Sequence, residues 1–97
     1  MNEIIEAINK RLVLSVSYDG GERLVEPHTL GTNRNTGKTL LRAYQTHGAS
    51  TSGENEGWKI MNLSKMSSIQ ITGNAFSPRQ DYVRGDSIMT GGIIAEI

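Results

Sequence analysis

The chain predicts a small, mainly β domain with one N-terminal helix, and three observations carry that expectation. The first dozen residues hold an apolar stripe of helical period. Short period-two runs separated by turn residues fill most of the remaining chain. The composition, with 11 Gly, 2 Pro and 36% apolar residues, suits tight turns between short strands better than long helices. One helix followed by five or six short antiparallel strands reads as a small closed or half-closed barrel, the helix covering one opening or one face. At 97 residues the chain is one domain, 1–97. A domain of this size buries only ~60–65% of its unfolded surface, enough for one modest core.

The helix is expected over residues 2–11. Ile4, Ile5, Ala7, Ile8 and Leu12 share a stripe, with Glu3, Glu6, Asn9 and Lys10 opposite. Acidic residues at its start and Lys10 and Arg11 at its end suit the helix dipole, and Asn2 is the expected N-cap. "LVLSVSY" then alternates, and "DGG" after it is a hairpin signal in which Gly supplies positive φ. "ERLVEP" is the return strand. Pro27 has no donor and is expected at that strand's end or at an edge, with "HTLGTNR" continuing extended. This strand mixes Arg23, Val25 and Pro27 on one face with Leu24, Glu26 and His28 on the other, a sorting too poor for a purely structural strand. After the turn "NRNTGK", "TLLRAYQT" is a clear strand, with Leu40, Arg42 and Tyr44 set against Leu41, Ala43 and Gln45. The polar segment at 46–57 is longer than a hairpin needs and is expected to be functional or mobile, a candidate lid. "WKIMNL" and "SIQIT" are further strands, with a short turn between them that Ser64 would cap.

Residues 1–72 thus hold the helix and the barrel core, and 73–97 form an irregular extension. That extension carries Phe76, Tyr82, Val83, Ile88, Met89, Ile93, Ile94 and Ile97, too many sizeable apolar residues for a disordered tail. It is expected to pack on the barrel or on a neighbouring subunit, bringing Arg79 and Arg84 to the rim of a groove.

Composition excludes several function classes. Ten basic and ten acidic residues leave no net charge, so a strongly basic duplex-binding footprint is missing. Without cysteine there are neither disulfides nor thiolate metal sites, and two histidines are too few for a ready zinc site. No apolar run reaches the ~18 residues of a membrane span, so no membrane partner is expected and a cytoplasmic location is the default. No nucleophile triad, acid–base carboxylate pair or phosphate loop stands out, and the expectation is a protein without enzymatic activity or cofactor.

The order of "IIEAINKR", a strand ending in Tyr18, "RLVEP", "TLLRAY" and "NLSKMSSI" resembles the WYL domain family over roughly residues 3–71. The naming triplet is here Thr39, Leu40 and Leu41, and Asn62 and Lys65 stand where that family has two arginines. The resemblance implies an Sm-like or SH3-like antiparallel β-barrel. It also implies a ligand-sensing role, with an anionic nucleotide or short single-stranded nucleic acid as the partner, in a phage- or defence-associated setting.

Candidate site residues are chosen by their chemistry. Arg23, Arg42, Lys59, Arg79 and Arg84 could meet phosphate, arginine through its planar fork. For Arg23, Arg42 and Lys59 the competing reading is solvated strand charge, partly paired with Glu22 or Glu26. His28 and His47 could titrate near neutrality, or simply bond to backbone in turns. Tyr44, Trp58 and Tyr82 could stack a base, Trp58 best placed among them, though a single Trp in a small domain is as often its largest core residue. The "RGD" at 84–86 is read as chance, with Asp86 pairing to an arginine or capping the next turn. The rival to a binding module is an adaptor that self-assembles into a homo-oligomer, or docks on a larger protein, through edge strands and the apolar "IIAEI".

Overall fold

A computed structural model describes residues 1–48 and 55–97. The central part of the 46–57 segment, expected as a lid, lies outside the described residues. Helix α1 spans Asn2–Lys10 and is followed by β1 (Leu12–Tyr18), β2 (Gly21–Thr32), β3 (Thr39–Gly48) and β4 (Gly57–Asn62). A single 3-10 turn at Leu63–Lys65 leads into β5 (Met66–Ala75), and β6 (Gly92–Glu96) closes the chain. All pairings are antiparallel. The strands run β4-β3-β2-β1-β5, and β6 adds to the distal half of β2. Among the described residues no ladder joins β4 to β5, so the sheet is not closed and the expected closed or half-closed barrel is not confirmed. No helix among them is long and apolar enough to cross a membrane.

Local chemistry explains most element ends. Arg11 takes a left-handed conformation (φ 57°), its N–H reaches the carbonyls of Ala7 and Ile8, and the helix stops there. Met1 occupies the N-cap position without a side-chain cap, and Asn2, expected there, is the first helical residue. Asp19 and Gly20 both have positive φ, 49° and 80°, and Tyr18 pairs with Gly21, the signature of a two-residue type I′ hairpin turn. At the 3-10 turn the cap is Asn62, whose Oδ1 accepts from the Ser64 N–H and hydroxyl; Ser64 donates rather than caps.

The core lies between α1 and one face of the sheet. Ile4, Ala7 and Ile8 pack with Leu14 and Val16 of β1, Val25 and Leu30 of β2, Leu41 and Ala43 of β3, and Met61 of β4. Each buried branched side chain contributes roughly 1.5–3 kcal/mol relative to exposure.

β2 is the organising strand, because residues 25–31 are all buried and both of its faces are therefore covered. Pro27 does not end it. β1 leaves β2 at Val25 and β6 joins at Thr29, so Pro27 sits in the gap where no neighbour on that side needs its missing N–H. Opposite β3, Pro27 pairs with Ala43 and Thr29 with Arg42, which leaves His28 as the extra residue of a β-bulge. The bulge resets the alternation. Val25 and Leu30 belong to the core, whereas Glu26, His28 and Thr29 all contact the C-terminal segment on the opposite face.

That segment, residues 76–97, is fastened along β2 by directional bonds. The Phe76 N–H donates to the Arg11 carbonyl, and the Arg79 N–H to the His28 ring. Asn33 Nδ2 donates to the Ile88 carbonyl at 2.8 Å, the Gly91 N–H to Thr32, and the Ile97 N–H to His28. Met89 is buried over Gly31, where a Cβ would stand 2.9 Å from the methionine sulfur and 2.6 Å from the Gly92 carbonyl oxygen, so this approach requires glycine.

Candidate functional site

The second face of the sheet carries an aromatic and charged cluster. His28 from β2, Tyr44 from β3 and Trp58 from β4 lie side by side, Tyr44 and Trp58 as a cross-strand pair. Phe76 and Tyr82 of the C-terminal segment close over them. The His28 ring centroid is 4.8 Å from Trp58, 5.2 Å from Phe76 and 4.9 Å from Tyr82. Trp58 meets Tyr44 edge-on at 5.6 Å and lies nearly parallel to Tyr82 at 6.2 Å.

His28 is fully buried. Its Nε2 accepts the Arg79 backbone N–H at 3.2 Å, so Nε2 carries no proton and Nδ1–H donates to the Glu26 carbonyl at 2.8 Å. The neutral imidazole has both nitrogens satisfied. Burial lowers its pKa below the usual 6.5, outweighing the Glu26 carbonyl and carboxylate that act the other way.

The arginines here are held by carboxylates. Arg79 makes a two-pronged pair with Glu26, at 2.8 and 3.2 Å, and lies 3.8 Å over the Tyr44 ring. The Glu26 bonds hold its guanidinium still more firmly protonated, against a smaller opposing effect of burial. Arg42 Nε donates to Asp86 at 2.7 Å. Burial would raise the Asp86 carboxyl, but the bonds from Arg42 and the Ile88 N–H prevail and hold it below its usual value. Asp86 thus pairs with an arginine and caps the following turn. Arg84, largely exposed, reaches Glu96 at 3.2 Å. Tyr82 turns its hydroxyl inward to Thr29 at 2.6 Å; burial raises its pKa, and the Thr29 bond opposes this.

Between these groups opens a cleft of about 400 Å³, lined by Arg42, Trp58, Asp81, Tyr82, Val83, Gly85, Asp86 and Ser87. Trp58 Nε1 donates to Asp81 at 3.0 Å at its edge. A second hollow of about 680 Å³ lies among Glu26, Tyr44 and residues 75–81 and shares Asp81 with the first. Among the described residues no three His, Cys, Asp or Glu side chains gather to hold a metal ion.

Of the sequence-derived candidates, His28, Arg42, Tyr44, Trp58, Arg79 and Tyr82 come together here, while Arg84 lies between the lining residues Val83 and Gly85 in sequence with its guanidinium on Glu96. Three stand elsewhere. Arg23 shares the Val25 face of β2, only 5% exposed, with its guanidinium 4.9 Å over the Tyr18 ring and bonded to Gln45. Its Nε is buried without a hydrogen-bond partner. Lys59 pairs across with Ala43, and strand alternation sends it to the face opposite Trp58. His47 is exposed near the end of β3, against Thr46. Sequence reasoning missed Glu26, Thr29, Phe76 and Asp81 as members of the cluster. Its one available signal was the badly sorted strand at 23–28, since a face carrying Glu and His must meet polar partners if it is buried.

Comparison with known proteins finds no match: no family model, no curated protein and no solved structure.

Proposed function

We propose that this chain is a non-enzymatic binding module that takes a nucleotide or a short single-stranded nucleic acid, its base in the cleft beside Trp58 and Tyr82. The observation that carries this reading is the placement of the chain's one tryptophan. It lines an open cleft of about 400 Å³ instead of filling the core. That volume suits a small ligand, and aromatic stacking of a base is worth ~1–3 kcal/mol. All three arginines are paired with carboxylates, Arg42 with Asp86, Arg79 with Glu26 and Arg84 with Glu96, and phosphate recognition falls to Arg84 because its pair is the most exposed to solvent. The resemblance to the WYL family supports the same reading, with the open sheet taken as a splayed form of an Sm-like or SH3-like barrel. Such a module serves as a sensor subunit or as a nucleotide-sequestering protein in a phage- or defence-associated system.

Titrating nucleoside monophosphates and short oligonucleotides against Trp58 fluorescence tests this. Quenching that saturates, and that weakens between low and moderate salt, is the expected result. Fluorescence unchanged at millimolar nucleotide, together with no small molecule released on denaturation and mass spectrometry, overturns the reading.

One observation favours an adaptor as the second reading. Ile93 and Ile94 are 37% and 43% exposed on β6, a strand whose only ladder partner among the described residues is β2. Sedimentation showing a discrete oligomer that Ile94→Lys dissolves would support it.

A further inference from the structure

We infer that the cleft selects guanine among the bases, through the carboxylate of Asp81. This deepens the binding reading above and rests on it.

The two aspartates lining the cleft differ in what they have left to offer. Asp86 is engaged on both oxygens: Arg42 Nε donates to Oδ2, while Arg42 Nη2 and the Ile88 N–H donate to Oδ1. Asp81 is exposed, and among the described residues no Lys, Arg or His forms an ion pair with it. Its Oδ2 accepts one bond, from Trp58 Nε1. A carboxylate has roughly four acceptor directions, so most of its capacity remains open. With Arg42 offset by Asp86, Asp81 leaves the cleft lining one unit negative.

The geometry then chooses the base. An indole N–H donates in the plane of its ring, so Asp81 stands at the edge of Trp58. A base lying on the Trp58 face brings its own edge to the same carboxylate. Guanine presents two adjacent donors there, N1–H and the 2-amino group, and both can be accepted by Oδ1, the Asp81 oxygen that Trp58 Nε1 does not engage. Adenine and cytosine set an amino donor beside a ring nitrogen that is itself an acceptor, and that lone pair would face the carboxylate. Uracil places its one N–H between two carbonyls, with the same conflict on both sides. Asp81 is exposed and stays hydrated when a ligand fails to match it, so the discrimination is modest, below that of a buried donor–acceptor site. The phosphate is common to all four nucleotides and does not discriminate among them.

The test is a fluorescence titration of the full chain with GMP, AMP, CMP, UMP and IMP at one fixed ionic strength, repeated on Asp81→Asn. Asparagine retains an oxygen for Trp58 but replaces the second acceptor with a donor. The expected result is that GMP binds at least about tenfold more tightly than AMP, CMP or UMP, about 1.4 kcal/mol. IMP, which lacks only the 2-amino group, should fall between GMP and the rest. In Asp81→Asn, GMP affinity should drop to that of AMP, with AMP itself little changed. IMP needs no variant, so that comparison stands even if Asp81→Asn folds poorly. Saturable binding with equal affinity for all five, or a guanine preference that survives Asp81→Asn, overturns this inference and leaves the binding reading intact. If none of the five quenches Trp58, the binding reading itself fails, and this inference with it.

Discussion

The two faces of β2 are buried to a similar degree but by different physics. On one face Val25 and Leu30 meet Ile4, Ile8, Leu14 and Leu41 through apolar contact that needs no aiming, and only Arg23, toward the start of the strand, is held on that face by a directed bond, to Gln45. On the other face Glu26, His28 and Thr29 meet Arg79, Tyr82 and Phe76 through hydrogen bonds, an ion pair and ring contacts that each have a required geometry. Apolar burial is non-directional and insensitive to pH. A buried polar network holds only while every member is satisfied. The first face therefore supplies stability at any pH. The second face fixes where the C-terminal segment lies, and with it the walls of the cleft.

Removing the second covering entirely is the harshest way to break this comparison. Truncation after Gly73 strips β6, Met89 and the Arg79–Tyr82 contacts from β2 and exposes a long buried strand. At roughly 1.5–3 kcal/mol for each fully buried apolar side chain, the loss rivals the ~5–15 kcal/mol that stabilises a whole domain. We expect insolubility or no cooperative melt; a truncated chain that melts like the full one would mean the segment covers nothing that matters.

A cavity on the first face comes next. Leu30→Ala should cost ~2–5 kcal/mol in chemical denaturation. That cost should be the same at pH 7.5 and pH 5.5, and nucleotide titrations should be unaffected where the protein is folded. A strongly pH-dependent cost would mean the two faces are not separable.

Acid sharpens the contrast from the other side. The folded pKa of His28 is depressed below 6.5, so the unfolded chain takes up the proton first. Its contribution to stability is complete above about pH 6.5 and is lost as pH falls through the depressed value, with a slope of at most about 1.4 kcal/mol per pH unit for one proton. Asp86 adds a separate loss only below its ordinary 3.8, because its folded pKa is also lowered. His28→Gln should be less stable at pH 7.5 but should flatten the denaturation profile between pH 6.5 and 5. An unaltered slope in that variant would assign the acid sensitivity elsewhere.

The smallest effect belongs to the rim. Arg84 is exposed and its pair with Glu96 is screened by solvent, so Arg84→Ala should change stability by no more than about 0.5 kcal/mol. In the proposed module it should nonetheless reduce the salt dependence of nucleotide binding; a salt dependence identical to that of the parent would remove Arg84 as the phosphate contact.

Several features were legible residue by residue because their causes are local. The stripe of Ile4, Ala7 and Ile8 requires only the helical period. The Asp19–Gly20 turn requires only two residues tolerant of positive φ. The alternation of Leu41, Ala43 and Gln45 against Arg42 and Tyr44 likewise defines the two faces of β3 before any partner is known. What the sequence by itself determined is thus the set of elements and the direction in which most of their side chains point.

The tertiary structure decided the rest. Period-two counting places Arg23 with Val25, but it runs wrong beyond Pro27, because the bulge at His28 is created by pairing with β3 and shifts every later residue to the other face. Which carboxylate each arginine meets was equally hidden: Arg79 and Glu26 stand 53 residues apart, Arg42 and Asp86 44 apart. Such contacts have no period and no local signature. They exist only after the C-terminal segment has crossed β2, and it crosses there because a buried strand carrying Glu26 and His28 is stable only beneath partners that satisfy them.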